Sequence, residues 1–212
     1  AVPAIWGGTF IAGRILALAV PAAVGSLLRF VVAVLGLLAA AWWLEGGLPR
    51  LTRRQLIGTL LLGATGIFAY NLFFLGALAR LPASRTSLII ALNPIVTIAA
   101  ASLLLGERMS ARRWLGVAVA LAGVWIVVSR GDVLGSVGGA VGLGELLMFG
   151  GVCSWAAYTL IGRRVLEGLS PLAATTYASL WGTAMLAVVA APQLRGLAVA
   201  DLGGPVVLSV LY

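Results

Sequence analysis

Histidine and lysine are absent from this 212-residue sequence, cysteine occurs once, and only six side chains are acidic. Each shortage removes a class of function. Without histidine there is no imidazole base and no histidine-ligated zinc. The single thiol, Cys153, builds neither a disulfide nor a cysteine metal site. No Ser/His arrangement, acidic dyad or ligand cluster falls within the apolar stretches. That argues against a membrane-embedded enzyme and leaves no cofactor or metal to expect. The missing lysine carries no mechanism. Charge is scarce overall, at 9% of residues against about 25% in soluble domains.

What is abundant is apolar: 62% of the chain is hydrophobic. The expectation is an all-α polytopic membrane protein embedded in a lipid bilayer. The net charge of +8 comes from arginines placed between apolar runs. Orientation by basic loops explains that placement more simply than nucleic-acid binding does. Seven full spans are predicted, at about residues 1–20, 22–44, 55–79, 86–106, 114–129, 145–162 and 171–191. Trp42 and Trp43 mark a membrane interface. Gly116, Ala120 and Gly123 share one face of the fifth helix, which suits either a homodimer contact or packing within the chain. The Gly-rich stretch 130–144, with Asp132, reads as a linker. Residues 205–212 read as the start of an eighth helix. The absence of an initial Met and this short last segment suggest a fragment.

The segment Pro82–Trp114 is the most informative. From Thr86 to Gly106 no residue is charged, and those 21 residues suffice for one span. Yet Asn93-Pro94 interrupts it. Pro94 removes an N–H and pushes Asn93 away from the α region. Lipid tolerates such a break only where protein or a watery cavity satisfies the freed groups. Thr86, Ile90, Asn93 and Thr97 share a helical face that should look at protein or a cavity. No carboxylate or histidine lies at mid-span, so facilitated export or exchange is a simpler expectation than proton coupling.

With the N-terminus cytoplasmic, eight arginines fall in inside loops and five outside, a modest bias toward that orientation. An internal repeat is also visible. WGGTFIAGRIL from Trp6 matches WAAYTLIGRRVL from Trp155 at an offset of 149, and Pro21 matches Pro171 at 150. Five helices separate the copies. An odd number inverts the second copy, an arrangement used by secondary transporters with the substrate site at the repeat interface. The expected units are residues 1–131 and, truncated, 132–212.

These residues together resemble the drug/metabolite transporter superfamily, in its EamA branch of ten-helix permeases. The resemblance is carried by Trp6-Gly7-Gly8 with Phe10, Leu28-Arg29-Phe30 and Ala91–Pro94. It continues in Leu104–Arg108, Trp114-Leu115-Gly116, Gly123-Val124, Gly144-Glu145-Leu146, Ser154-Trp155-Ala156, and Tyr158 before Arg163-Arg164. It implies two five-helix repeats of inverted topology around a central cavity. It also implies export of small metabolites, often amino acids, across a bacterial inner membrane. The chain departs from the pattern in length, lacking helices 9 and 10 and most of helix 8.

Seven candidate substrate-binding residues follow. Trp6 and Trp155 are cavity aromatics or packing residues, with Trp6 alternatively an interfacial anchor. Tyr70 and Asn71 lie mid-span, where Asn71 must bond Asn93, Thr97 or a substrate. Asn93 sits at the break. Tyr158 heads a polar set with Thr159, Thr176, Ser179 and Thr183, which suits interhelical hydrogen bonds as well as a substrate. Arg29 is a charge inside a span, where function is the default reading. It could pair with Glu145, receive a carboxylate, or snorkel outward. Glu107 is expected to pair with Arg112 or Arg113. A multidrug or cationic-compound pump is the alternative, and it predicts an acid in the cavity.

Overall fold

The computed structural model describes residues 2–106, 109–129, 142–196 and 203–212, side chains of 2–6 and 127–128 excepted. The described residues form eight helices in sequence order. These are α1 (Val2–Ala19), α2 (Ala22–Glu45), α3 (Arg53–Leu78) and α4 (Ala83–Leu105), then α5 (Ala111–Val128), α6 (Leu143–Val165), α7 (Pro171–Leu194) and α8 (Gly204–Leu211). Among them α2, α3, α4, α6 and α7 are long and apolar enough to cross a membrane. The helices α1 and α5 have 18 residues each, about 27 Å, near the short end of spanning length. The chain is an all-α integral membrane protein. Trp42 and Trp43 are 72% and 90% exposed at the end of α2, as interfacial anchors should be.

Local chemistry sets the helix ends. Thr52 and Gln55 form a reciprocal capping box at the start of α3, satisfying two backbone donors. Ser170 caps α7, with Pro171 in its first turn, where a missing N–H does no harm. Gly46 and Gly106 close α2 and α4 at φ of +71° and +69°, a conformation glycine adopts without penalty.

Two helices are irregular. Within α3, Gly63–Ala69 is a π-helix. Within α4, the helix stops at Ile90 and restarts at Asn93. The expected break is there, but the bend falls at Ala91–Leu92, and Asn93 opens the second half instead of leaving the α region. Pro94 thereby occupies a first-turn position, where it fits.

The arrangement of spans follows from small residues. The helices α2 and α3 both lie along α7, while α3 and the second half of α4 pack on α6. A Cβ on Gly63 would stand 2.6 Å from the Ala178 carbonyl oxygen, and one on Gly182 only 2.3 Å from Ile67 Cβ. The two backbones therefore touch directly, the close approach that small residues permit in membranes. The principal core joins Leu16, Val24, Leu75, Leu78, Met148 and Val152. A second cluster joins Leu62, Val165, Ala173 and Ala178 near the opposite end of the bundle.

The small-residue face of α5 is open. A Cβ on Gly116 or Gly123 would meet nothing within 4 Å, so packing within the chain finds no partner there among the described residues. Of the predicted linker 130–144, residues 143 and 144 already belong to α6; residues 130–141, Glu107 with Arg108, and the Trp6 side chain lie outside the described residues.

Candidate functional site

The π segment of α3 creates the site. In a π turn the backbone donor shifts one residue on, as Tyr70 N–H does toward Thr65 O, and π turns cluster at functional positions. Here side chains add second donors to the carbonyls of this segment. Ser154 Oγ of α6 donates to Thr65 O at 2.8 Å, and Asn71 Nδ2 donates to Ile67 O at 2.8 Å. Asn71 thus serves its own helix; it bonds neither Asn93 nor Thr97 through that nitrogen. Gly66 lets the Tyr158 ring lie against the π backbone, since a Cβ there would be 2.2 Å from Tyr158 Cδ2.

Next to this segment the aromatic side chains form a ladder. Tyr70 stands 5.1 Å from Trp155, ring centre to ring centre, and Trp155 5.3 Å from Tyr158. Tyr70 also stacks on Phe74 at 5.7 Å, and Phe74 meets Phe10 edge-on at 5.5 Å. These separations suit offset and edge contacts between rings. Arg29 is half-buried on α2 within electrostatic range of Tyr70. Three of the predicted residues, Tyr70, Trp155 and Tyr158, are therefore in ring contact, with Arg29 in electrostatic range of Tyr70. Phe74 was missed, although it lies one helical turn beyond Tyr70.

The expected Arg29–Glu145 pair does not form. Glu145 is held by Arg85, with Nη2 to Oε1 at 2.8 Å, because the first turns of α4 and α6 meet while α2 runs along α7. Among the described residues no carboxylate pairs with Arg29. The polar set divides between intrahelical and interhelical bonds. Thr159 and Thr176 donate back to Trp155 O and Leu172 O of their own helices. The Tyr158 hydroxyl reaches across to Thr175.

At the α4 break, Asn93 Oδ1 is buried without a hydrogen-bond partner. Pro94 also deprives the Ile90 carbonyl of its helical donor. Thr86 and Thr97, on the same face, are buried, as the shared stripe predicts.

A cavity of about 930 Å³ lies between α3, the end of α4 and the second half of α6. Its walls include Ile57, Leu61, Leu104, Leu105 and Ala157, and Arg54, Arg164 and Glu167 are its charged residues. Ala157 directly precedes Tyr158 on α6, so the cavity reaches the level of the aromatic ladder. Glu167 is an acid the sequence reading did not place there. Two arginines accompany it.

Comparison with known proteins identifies the family. Residues 1–129 match the EamA-like transporter family. The chain is 33% identical over 162 residues to the uncharacterized transporter YyaM of Bacillus subtilis, covering 76% of this chain and 53% of that one. It is 28% identical over 162 residues to the uncharacterized inner membrane transporter YedA of Escherichia coli, covering 76% and 50%. A probable terminal-alkyne amino-acid exporter of Streptantibioticus cattleyicolor is 37% identical over 106 residues, covering 50% of this chain and 35% of that one. The chain spans about half the length of these curated relatives, or less. No solved structure matches it. A helical membrane bundle with a broken span, a cavity beside it and transporter relatives has one reading: this chain belongs to the EamA-like transporter family, within the drug/metabolite transporter superfamily, and not to an enzyme family.

Proposed function

We propose that the protein is a secondary transporter that moves small amphipathic metabolites, amino acids above all, out of the cytoplasm by alternating access. The observation that carries this reading is the ladder of Tyr70, Trp155 and Tyr158, with Arg29 in electrostatic range of Tyr70. A guanidinium receives a carboxylate through paired donors. Aromatic walls take an apolar side chain. The unpartnered Asn93 Oδ1 is an acceptor for an ammonium group, although it is not joined to the cluster by a contact. The amino-acid class also draws support from the exporter relative.

The same proposal places the N-terminus on the cytoplasmic side of a bacterial inner membrane and residues 1–131 and 132–212 in inverted repeats. It also gives α5 a self-association face. The alternative, efflux of cationic drugs, is served less well. Glu167 shares the cavity with Arg54 and Arg164, which leaves the lining net positive.

The test is untargeted metabolomics of medium from cells overexpressing the full-length protein. Enrichment of one or a few amino-acid-like solutes is expected, lost with Trp155→Ala or Asn93→Ala. A medium no different from the empty-vector control, or undiminished export by both variants, would refute the reading.

A further inference from the structure

The cavity marks one end of the bundle, and the opposite end is tied shut. Arg164 lines the cavity toward the end of α6. Glu145 lies 19 positions earlier on the same helix, about 28 Å away along the axis. Several ties converge at that far end. Arg85 and Glu145 meet at 2.8 Å, their side chains 15% and 8% exposed. Glu145 Oε2 accepts from Gly142 N at 3.0 Å. Arg14 Nη1 donates to the carbonyls of Leu78 and Leu81, at the end of α3. A Cβ on Gly144 would stand 2.7 Å from Leu81 Cγ, so the start of α6 sits flush against the α3–α4 turn.

A static brace at this place would be better built from apolar side chains. A buried ion pair seldom adds net stability over them, although removing one partner alone is costly. What charged partners offer is a second stable arrangement. Separated and hydrated, each side chain is at ease in water. Paired and buried, each satisfies the other. The element that carries Arg85 is suited to move. The first half of α4, Ala83–Ile90, is separated from the second half by the bend at Ala91–Leu92, so it can swing while Asn93–Leu105 stays packed on α6.

We propose that Arg85 and Glu145 form the latch of the transport path at the end remote from the cavity. Its separation is the step that opens the path there. This rests on the transporter reading. In the closed arrangement described here, the latch holds the first half of α4 against α6, and solute reaches the interior from the cavity side alone.

The test uses the full-length protein with Cys153→Ala and Ala157→Cys, which places one thiol on the cavity wall. A membrane-impermeant maleimide is offered to right-side-out and inverted vesicles. In this parent, labelling is expected from the cavity side only. Arg85→Gln or Glu145→Gln should raise labelling from the opposite side about tenfold or more, as loss of one partner of a buried pair shifts the population. The exchanged pair, Arg85→Glu with Glu145→Arg, should restore one-sided labelling. Where a single variant fails to insert, Arg85→Lys with Glu145→Asp, which loosens the contact, is expected to act in the same direction. Unchanged sidedness in these variants, or an exchanged pair that behaves like the singles, would overturn the latch. The readout needs no solute. A parent that exports nothing therefore refutes the transporter reading separately, whatever the labelling shows.

Discussion

Asn93 presents a buried acceptor with no donor, which costs roughly 1–3 kcal/mol. A residue kept for stability alone would be apolar. Asn93→Leu is thus expected to leave thermal stability in detergent unchanged or raise it by about 1 kcal/mol, while export falls about fivefold or more. Asn71→Ala should show the reverse pattern. It loses the bond to Ile67 O, so unfolding should become easier by about 1 kcal/mol, with export falling only as the folded amount falls. Trp155 touches both Tyr70 and Tyr158. Trp155→Ala should cut export about tenfold or more and Trp155→Phe less, because a smaller ring retains part of the stacking. The sequence made Tyr70, Trp155 and Tyr158 visible because aromatic and polar side chains stand out within an apolar span. Arg85 escaped notice for the opposite reason. Three residues after Pro82 it reads as a loop charge, and its partner is 60 positions away. Arg29 was given the wrong partner because sidedness alone cannot say which helices are neighbours.

At the level of helices, run length and proline position were enough to find the spans and the interruption in α4. They did not show the π turn in α3. Gly63–Ala69 has the composition of any apolar helix; the wider turn comes with tertiary fit, with Gly63 on the α7 backbone and Gly66 under the Tyr158 ring. Gly63→Val should therefore force α3 and α7 apart and destabilise the fold by about 1–3 kcal/mol, the usual penalty of overpacking, read as a lower thermal midpoint. The threonines show the limit of a polar pattern in another way. Thr159 and Thr176 lie where interhelical bonds were expected, yet a carbonyl one turn back in the same helix is nearer than any neighbour.

For the whole molecule, three links knit the second and sixth loops at one end: Ser170 Oγ to Glu45, Tyr177 Oη to Pro49 O, and Gln55 Nε2 to Gly168 O. The proposed orientation puts that end in the cytoplasm. With Cys153 replaced, single cysteines at Gly47 and Gly168 should react with impermeant reagents from the cytoplasmic side and one at Ser84 from the opposite side. The reverse result would invert the orientation. The cavity was not readable from the chain, because it is a gap between α3 and α4 that only their shared packing on α6 creates. Where Gly63 meets Gly182, no side chain stands between the α3 and α7 backbones to compress or rotate. That pair is consequently a pillar about which the rest must turn. A spectroscopic ruler fixed between Gln55 and Pro171 would read one constant length throughout the cycle, an internal standard against which displacements of the hinged half of α4 are scaled.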